Sequence, residues 1–186
     1  DFFYLTSGTT MAASVLFSMR AISGEYSQHT MLLLNTSPMS TLTLTLAKYL
    51  SALFPTFVLI SLSIYIPLMI NIHGQLRWGH VLTGYVGLYL LACACCSMGL
   101  FASAWTKRTL PAAGLATALL TMFVLAWWVA RLTDSPWREF LQGLSFHNQH
   151  FVPFQKGIMR IANLYYYLAI TLFFLSLTHQ NLRSMR

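Results

Sequence analysis

Residues 77–106 of this chain read RWGHVLTGYVGLYLLACACCSMGLFASAWT. Between Arg77 and Lys107 the stretch contains no Asp, Glu, Lys or Arg. A transmembrane helix needs about 20 consecutive apolar residues, because the hydrocarbon core of a bilayer is about 30 Å thick. The stretch therefore predicts a span over residues 81–105, closed at one membrane surface by the basic pair Lys107 and Arg108.

The composition extends this interpretation to the whole chain. Charged residues make up 8% of its 186 residues, hydrophobic residues make up 56%, and the mean hydropathy is +0.61. A soluble domain carries about 25% charged residues, so this chain cannot cover its surface in water. We therefore expect an all-α membrane protein, a polytopic helical bundle that forms a single domain over residues 1–186. Its function then belongs with transport, sensing or cleavage within the bilayer.

The net charge of +7 does not indicate a nucleic-acid partner. The basic residues stand singly or in pairs at the ends of apolar runs, as is usual for spans that face anionic headgroups. A nucleic-acid site needs clustered Lys and Arg to bind phosphates, and the sequence has no such run. Membrane lipid is the partner that this charge pattern predicts.

Five apolar runs are candidates for spans, at residues 2–19, 42–72, 81–105, 110–130 and 161–178. The second run is longer than one crossing needs, and we expect Pro55 and Pro67 to bend it. Lys48, near the start of this run, is expected at the membrane interface.

The positive-inside rule sets the orientation of the five spans. The ends that we expect in the cytoplasm carry Arg20, Lys48, Lys107, Arg108, Arg183 and Arg186. The opposite ends carry Arg77, Arg131, Arg138, Lys156 and Arg160, most of them in or beside one long loop. The short loops therefore favour a cytoplasmic C-terminus in the inner (cytoplasmic) membrane. A chain that starts outside without a signal peptide fits a lost first span, which predicts six spans in the intact protein.

Two segments between spans have unusual patterns. Residues 21–41 mix polar and apolar side chains, which predicts an amphipathic helix on the cytoplasmic face that ends at Pro38. Residues 131–160, on the external side, place large aromatic side chains among polar neighbours. This second pattern predicts a re-entrant or surface-lying pair of helices.

The third span carries a series of small residues. Cys95, Gly99 and Ser103 follow one another at intervals of four, the spacing that lets two helices approach closely. Gly84 and Gly87 lie earlier on the same span. We expect these five residues to pack against another span or another subunit. The three cysteines of the span indicate packing as well, since the span offers no further metal ligand.

Catalytic and metal sites are not indicated. His147 and His150 lie three residues apart, a spacing at which two imidazoles can share a zinc ion, but no HExxH motif is present. The sequence also lacks a GxSxG motif, an intramembrane acid–base pair and a P-loop. We therefore predict no catalytic, cofactor-binding or metal-binding residue, and any energy for transport must come from another chain.

Four stretches resemble the type-two ABC exporter permeases, which are transmembrane subunits of ABC transporters. Residues 23–38, SGEYSQHTMLLLNTSP, are similar to the cytoplasmic signature of that family. The 77–106 stretch quoted above is similar to one of its spans. SFHNQHFVPFQKGI at residues 145–158 and YYYLAITLFFLSLT at residues 165–178 are similar to its external stretch and its last span. The resemblance is closest to the gliding-motility-type branch.

This resemblance implies six spans and a pairing of permease chains as homo- or heterodimers. It also implies that a separate ABC ATPase subunit holds ATP and magnesium and binds a short coupling helix, here residues 23–37. The external segment before the last span would fold as re-entrant helices. The resemblance assigns the ATPase contact to Glu25, Thr30, Met31, Leu33, Leu34, Thr36, Ser37 and Pro38.

The coupling segment departs from the family pattern at several positions. Tyr26 and Ser27 replace a basic pair, His29 replaces a glycine, and Leu32 replaces a second glutamate. With these charges lost, the apolar side chains of Met31, Leu33 and Leu34 would have to hold the ATPase.

We therefore expect the membrane-spanning subunit of an ATP-driven exporter. The sparse charge of the spans favours a lipid-like or amphipathic substrate. The alternative is a non-transporting membrane anchor or scaffold subunit that docks a partner protein. A neighbouring gene for an ATPase with Walker motifs would favour transport over this alternative.

Overall fold

The computed structural model describes residues 2–30, 39–73, 77–106, 108–132 and 137–184. Within these ranges it contains helices and no strand, which confirms the all-α class. In chain order the helices are α1 (Phe2–Ser18), α2 (Ser23–Ser27), α3 (Thr41–Leu62), α4 (Tyr65–His73), α5 (Trp78–Trp105), α6 (Thr109–Leu132), α7 (Trp137–Leu144), α8 (Phe151–Gln155) and α9 (Ile161–Ser184).

The centre of the bundle is α5. It packs against α1, α3, α6, α8 and α9. In the most apolar 18-residue stretch of α5, 72% is buried, whereas the corresponding stretches of the other three membrane-length helices are 22% to 28% buried. The outer helices instead expose large apolar side chains, such as Leu50 of α3 and Leu172 of α9. Apolar surface of this extent is typical of a protein that contacts a membrane.

Four helical segments of the described residues are long and apolar enough to cross a membrane, namely Thr41–Asn71, Trp78–Trp105, Thr109–Leu132 and Ile161–Ser184. The first of these combines α3 with most of α4. By contrast, α1 has 17 residues, a length of about 26 Å at about 1.5 Å per residue, somewhat less than a hydrocarbon core of about 30 Å. The fifth span expected at residues 2–19 therefore stays a prediction, as does the count of six spans.

The second predicted span is interrupted between α3 and α4, at Ser63 and Ile64. Pro67 has no N–H to donate to the carbonyl of Ser63, four residues earlier, and its ring collides with that carbonyl in a regular helix. The Ser63 carbonyl instead accepts a hydrogen bond from the N–H of Ile66 at 3.2 Å. The bend expected from Pro67 is thus a break one turn before it, whereas α3 continues through Pro55.

The last span was predicted to end at Thr178, before a polar tail, but α9 continues to Ser184. Phe174, Thr178 and Leu182 follow one another at intervals of four and are all buried. Leu182 belongs to an apolar cluster with side chains of α3 and α5. This packing stabilises the last turns of the helix in spite of their polar composition.

The predicted helix over residues 23–37 is interrupted as well. The helix α2 ends at Ser27, and the chain turns at residues 28–30, where His29 has a φ of 60°. A residue in the left-handed region cannot continue a right-handed helix. The expectation of one continuous helix was therefore wrong at this turn, and residues 31–38 lie outside the described part of the chain.

The segment predicted to be external, residues 131–160, contains α7 and α8, joined by a turn at residues 145–150. Three of its aromatic side chains are fully buried, Phe146, Phe151 and Phe154. The hydroxyl of Tyr167 in α9 donates a hydrogen bond to the carbonyl of Phe146 at 2.9 Å. The segment is therefore packed into the bundle, while its depth in the membrane stays a prediction; residues 133–136 are not among those described.

Candidate coupling site

The residues predicted to contact an ATPase belong to α2 and to the chain that follows it. Glu25 lies on α2 and Thr30 in the turn after it. The other predicted contact residues, Met31, Leu33, Leu34, Thr36, Ser37 and Pro38, lie outside the described residues. Because α2 follows α1 directly and packs against α6, it lies at the end of the bundle where α1 ends and α6 begins.

The beginning of α2 is held by Ser103 of α5. The Oγ of Ser103 accepts hydrogen bonds from the N–H groups of Ile22 and Ser23 at 3.0 and 2.9 Å. It also donates to the carbonyl of Met19 at 2.9 Å. A hydroxyl has one hydrogen and two acceptor positions, so Ser103 uses its full bonding capacity. The first N–H groups of a helix have no partner within that helix, and here another helix supplies one.

One turn before Ser103, Gly99 allows α1 to approach α5. A β carbon at Gly99 would lie 1.8 Å from the Oγ of Ser18 and 2.8 Å from its Cβ. Non-bonded carbon atoms normally approach no closer than about 3.5 Å. Only glycine therefore fits while Ser18 keeps its position, and Gly99 and Ser103 together face the chain from Ser18 to Ser23.

The other predicted packing residues of α5 face different helices of the same chain. Gly84 lies against the ring of Phe3 in α1, where a β carbon would come within 2.4 Å of a ring atom. Gly87 lies against Phe154 in α8, where a β carbon at Gly87 would come within 2.7 Å of the Cβ of Phe154. Cys95 is fully buried. Neighbours within one chain thus account for the small size of both glycines.

The acidic residue of α2, Glu25, forms an ion pair with Lys48 of α3. The hydroxyl of Thr30 donates to the same carboxylate. The hydrogen bond from Lys48, and next the one from Thr30, hold the pKa of Glu25 below its ordinary value. The two paired side chains remain 22% and 25% exposed, and exposed pairs contribute only about 0–1 kcal/mol. The pair therefore orients α2 on α3 more than it stabilises the protein.

The turn that ends α2 depends on His29. Its φ of 60° is in the left-handed region, where a side chain costs about 1–2 kcal/mol relative to glycine. The exporter permeases that this segment resembles have glycine at the same position. The conformation gives a physical reason for that preference and identifies His29 as a strained position in this chain.

The two histidines of the external segment make contacts within the bundle. The Nε2 of His147 lies 2.8 Å from the Oγ of Ser7, and burial lowers the pKa of His147. His150 stacks on Tyr166 with ring centroids 3.7 Å apart, and its Nδ1 lies 3.0 Å from the Oδ1 of Asn163. No group of three possible metal ligands occurs in the part of the chain that the structure describes.

Two functional features are not accessible from the sequence. The sequence places Lys48 at the interface but does not indicate its partner, because Glu25 lies on a different helix. It selects Ser103 for its small size, whereas in the structure the Ser103 hydroxyl also makes three hydrogen bonds to the chain before α2 and at its start. A single serine in an apolar helix is only a weak signal, since most such hydroxyls bond to their own helix, as Ser97 does with the carbonyl of Ala94.

A family model described as ABC-2 family transporter protein matches residues 7–185, which is nearly the whole chain. The chain belongs to this family. This ABC-2 family chain is therefore a permease, a multi-pass membrane subunit of an ABC transporter and not a catalytic subunit. The match confirms the resemblance at the level of the ABC-2 permeases, whereas the gliding-motility branch stays a prediction. No curated protein and no solved structure matches this permease.

Proposed function

We propose that this permease is the membrane-spanning subunit of an ATP-driven exporter that works with a separate ABC ATPase. ATP and magnesium would bind to the ATPase and not to this chain. The observation that carries the proposal is the placement of α2, which Ser103 fixes to α5 and Glu25 pairs with α3. A partner that moves this short helix would therefore act on two long helices directly.

Apart from the partly exposed Glu25, the surface that α2 and the turn after it offer to such a partner is polar and uncharged in the described residues. Ser27, Gln28 and His29 are exposed. We propose that the ATPase contacts this side of α2 and the apolar residues 31–34 that follow it. In the absence of the basic pair of the family pattern, apolar contact would supply most of the binding free energy.

We further propose that two permease chains pair, as a homodimer or a heterodimer, in the inner membrane with the C-terminus in the cytoplasm. In support, large apolar side chains are exposed on several helices, among them Phe54 of α3, Met122 of α6 and Leu172 of α9. Lipid and a second permease chain would cover these surfaces. In this orientation α7 and α8 lie on the external side, where they would form the re-entrant segment.

A lipid-like or amphipathic substrate fits the chemistry of the groove between α1 and α6. The groove has a volume of about 550 Å³, and its lining is almost entirely apolar. Val15, Leu120 and Val124 are among the lining residues, and the described residues contribute no charged side chain to it. A charged solute would lose its hydration there without gaining an ionic partner, which is costly. A hydrocarbon chain has no charge to desolvate, so its burial in the groove is favourable.

The substrate class can be tested on the purified complex in lipid vesicles. We expect the rate of ATP hydrolysis to rise with particular lipids or other amphiphiles added to the vesicles. A rate that ignores every lipid tested but rises with a soluble ion would contradict the proposed substrate.

The function itself is tested by co-purification. The tagged permease is extracted in detergent, and every bound chain is identified by mass spectrometry; we expect an ABC ATPase among them. Ser27→Trp, which enlarges the exposed side of α2, should release the ATPase. Ser51→Trp, the same change at an exposed serine of α3, should retain it. If no ATPase accompanies the unaltered permease, the proposed function is wrong.

The second candidate is a non-transporting anchor or scaffold subunit that docks a partner protein. The observation in its favour is the replacement of the basic pair by Tyr26 and Ser27, which removes charge from the coupling segment. Under this alternative, the co-purified partner would lack Walker motifs, and the purified complex would not hydrolyse ATP.

A further inference from the structure

We propose that Ser103 is a positioning residue through which α2 and α5 move as one unit, whereas the contact between α2 and α3 opens first. The inference rests on the proposed function, because it states how a motion imposed on α2 enters the bundle. It assigns the transmitting role to the central helix rather than to the next helix along the chain.

The hydrogen bonds of Ser103 are protected from water. Ser103, Ser18 and Ser23 are all fully buried. If the three bonds of Ser103 broke without solvent access, two N–H groups would be left without a partner, which is far more costly than exchanging one partner for another. The bonds between α5 and the start of α2 therefore persist while the chain around them moves.

Packing reinforces these bonds. Ile22, directly before α2, is buried in the same apolar cluster as Leu100 and Ala104 of α5. The close approach of Gly99 to Ser18 leaves no space for α1 and α5 to slide past each other. The segment from Ser18 to Ser23 is therefore held on α5 by hydrogen bonds and by complementary shape together.

The contact between α2 and α3 has a different character. Its polar part is the ion pair of Glu25 and Lys48, whose side chains are partly exposed. The apolar cluster that contains Ile22 also includes Leu44 and Leu53 of α3, but the structure shows no buried hydrogen bond between described residues of α2 and α3. Water can solvate both charges when they separate, so opening this pair costs little. A force on α2 should thus separate it from Lys48 before it separates from Ser103.

The bonds of Ser103 can be tested by amide hydrogen exchange on the full-length permease purified in detergent, with or without a bound ATPase. In Ser103→Ala we expect the N–H groups of Ile22 and Ser23 to exchange about tenfold faster or more. Ser97→Ala is the matched control, because Ser97 is equally buried on α5 but bonds only within its own helix in the structure. Unchanged exchange in Ser103→Ala, or equal acceleration in both variants, would overturn the inference.

The role in coupling needs a readout that a purely structural residue would not change. In Ser103→Ala we expect kcat for ATP hydrolysis to fall several-fold, while KM for ATP and the ratio of permease to ATPase stay constant. Ser103→Thr keeps the hydroxyl and should restore kcat, and Ser97→Ala should leave it unchanged. A Ser103→Ala complex that melts at a lower temperature but keeps its kcat would reduce Ser103 to a structural residue.

The order of movement can be measured by pulsed EPR with the native cysteines replaced by alanine. One pair of spin labels at Arg20 and Trp105 reports on the segment before α2 and on α5, and a second pair at Arg20 and Ser51 reports on the same segment and on α3; all three positions are exposed. On trapping with ATP and vanadate, the first distance should stay constant and the second should change. The reverse result refutes the inference. If no ATPase binds, the proposed function fails, while the exchange experiment still tests Ser103.

Discussion

Replacing Gly99 by alanine would test how closely α1 and α5 must approach. The new β carbon would lie 2.8 Å from the Cβ of Ser18, even after the Ser18 hydroxyl rotates away. Carbon atoms in contact are about 3.5–4.0 Å apart, so the helices must separate locally by about 1 Å. Overpacking a core costs about 1–3 kcal/mol, and the better helix propensity of alanine returns about 0.5–1 kcal/mol. We expect a net loss of about 1–2 kcal/mol.

The assay is thermal unfolding of the purified permease in detergent. For a protein of this length, a loss of about 1–2 kcal/mol lowers Tm by about 2–8 °C. Gly114→Ala is the control, because a β carbon at this position of α6 meets no atom within 4 Å. At Gly114 the added methyl group causes no collision, so only the better helix propensity of alanine acts, and Gly114→Ala should raise Tm slightly.

A compensating variant separates packing from other effects. Ser18→Gly together with Gly99→Ala moves the β carbon from α1 to α5 and removes the collision. We expect this double variant to unfold at a higher temperature than Gly99→Ala alone. If Gly99→Ala is as stable as Gly114→Ala, or if Ser18→Gly gives no recovery, the close approach described here is wrong.

Three further predictions concern the coupling segment. His29→Gly should stabilise the permease by about 1 kcal/mol, because it relieves the left-handed backbone of a residue with a side chain; Gln28→Gly, at a φ of −94°, should instead destabilise it, as Tm measurements would show. Glu25→Gln should lower stability by about 0–1 kcal/mol at neutral pH. Since the folded pKa of Glu25 is lowered, the stabilisation by this carboxylate is present above its ordinary value of 4.5 and is lost as the pH falls through the folded pKa. The difference between Glu25→Gln and the unaltered protein should therefore vanish in acid, and a constant difference would contradict the assignment. Leu33→Asp and Leu34→Asp should each uncouple ATP hydrolysis from transport while the spans remain inserted, and normal coupling in both would show that the ATPase contact lies elsewhere.

The long helices could be predicted because their signal is local. For α5, the absence of charge over nearly thirty residues is sufficient, because so long an apolar run can satisfy all its backbone hydrogen bonds in lipid as one helix, whereas a barrel strand crosses with about 10 residues. The end of α9 could not be predicted in the same way. Its last turns are polar, and the buried contact of Leu182 that stabilises them depends on helices distant in the sequence.

The candidate site shows the same division. The position of α2 between two long segments, and the small size of Gly99 and Ser103, follow from the sequence. The partners do not, because the pairing of Glu25 with Lys48 depends on how α2 lies across α3. The left-handed turn at His29 was also missed, since histidine is only a weak signal for a positive φ.

One consequence of the bond between Ser7 and His147 concerns α1 as a mechanical element. The Ser7 hydroxyl gives its hydrogen to the carbonyl of Tyr4, so the contact at 2.8 Å requires a hydrogen on Nε2 of His147. At the opposite end, Ser18 abuts Gly99. Contacts thus hold α1 near both of its ends, at Ser7 and at Ser18, so a displacement of one end is transmitted along the helix to the other. Because burial lowers the pKa of His147, the fold favours the neutral imidazole, and protonation in acid lowers stability although the hydrogen on Nε2 remains.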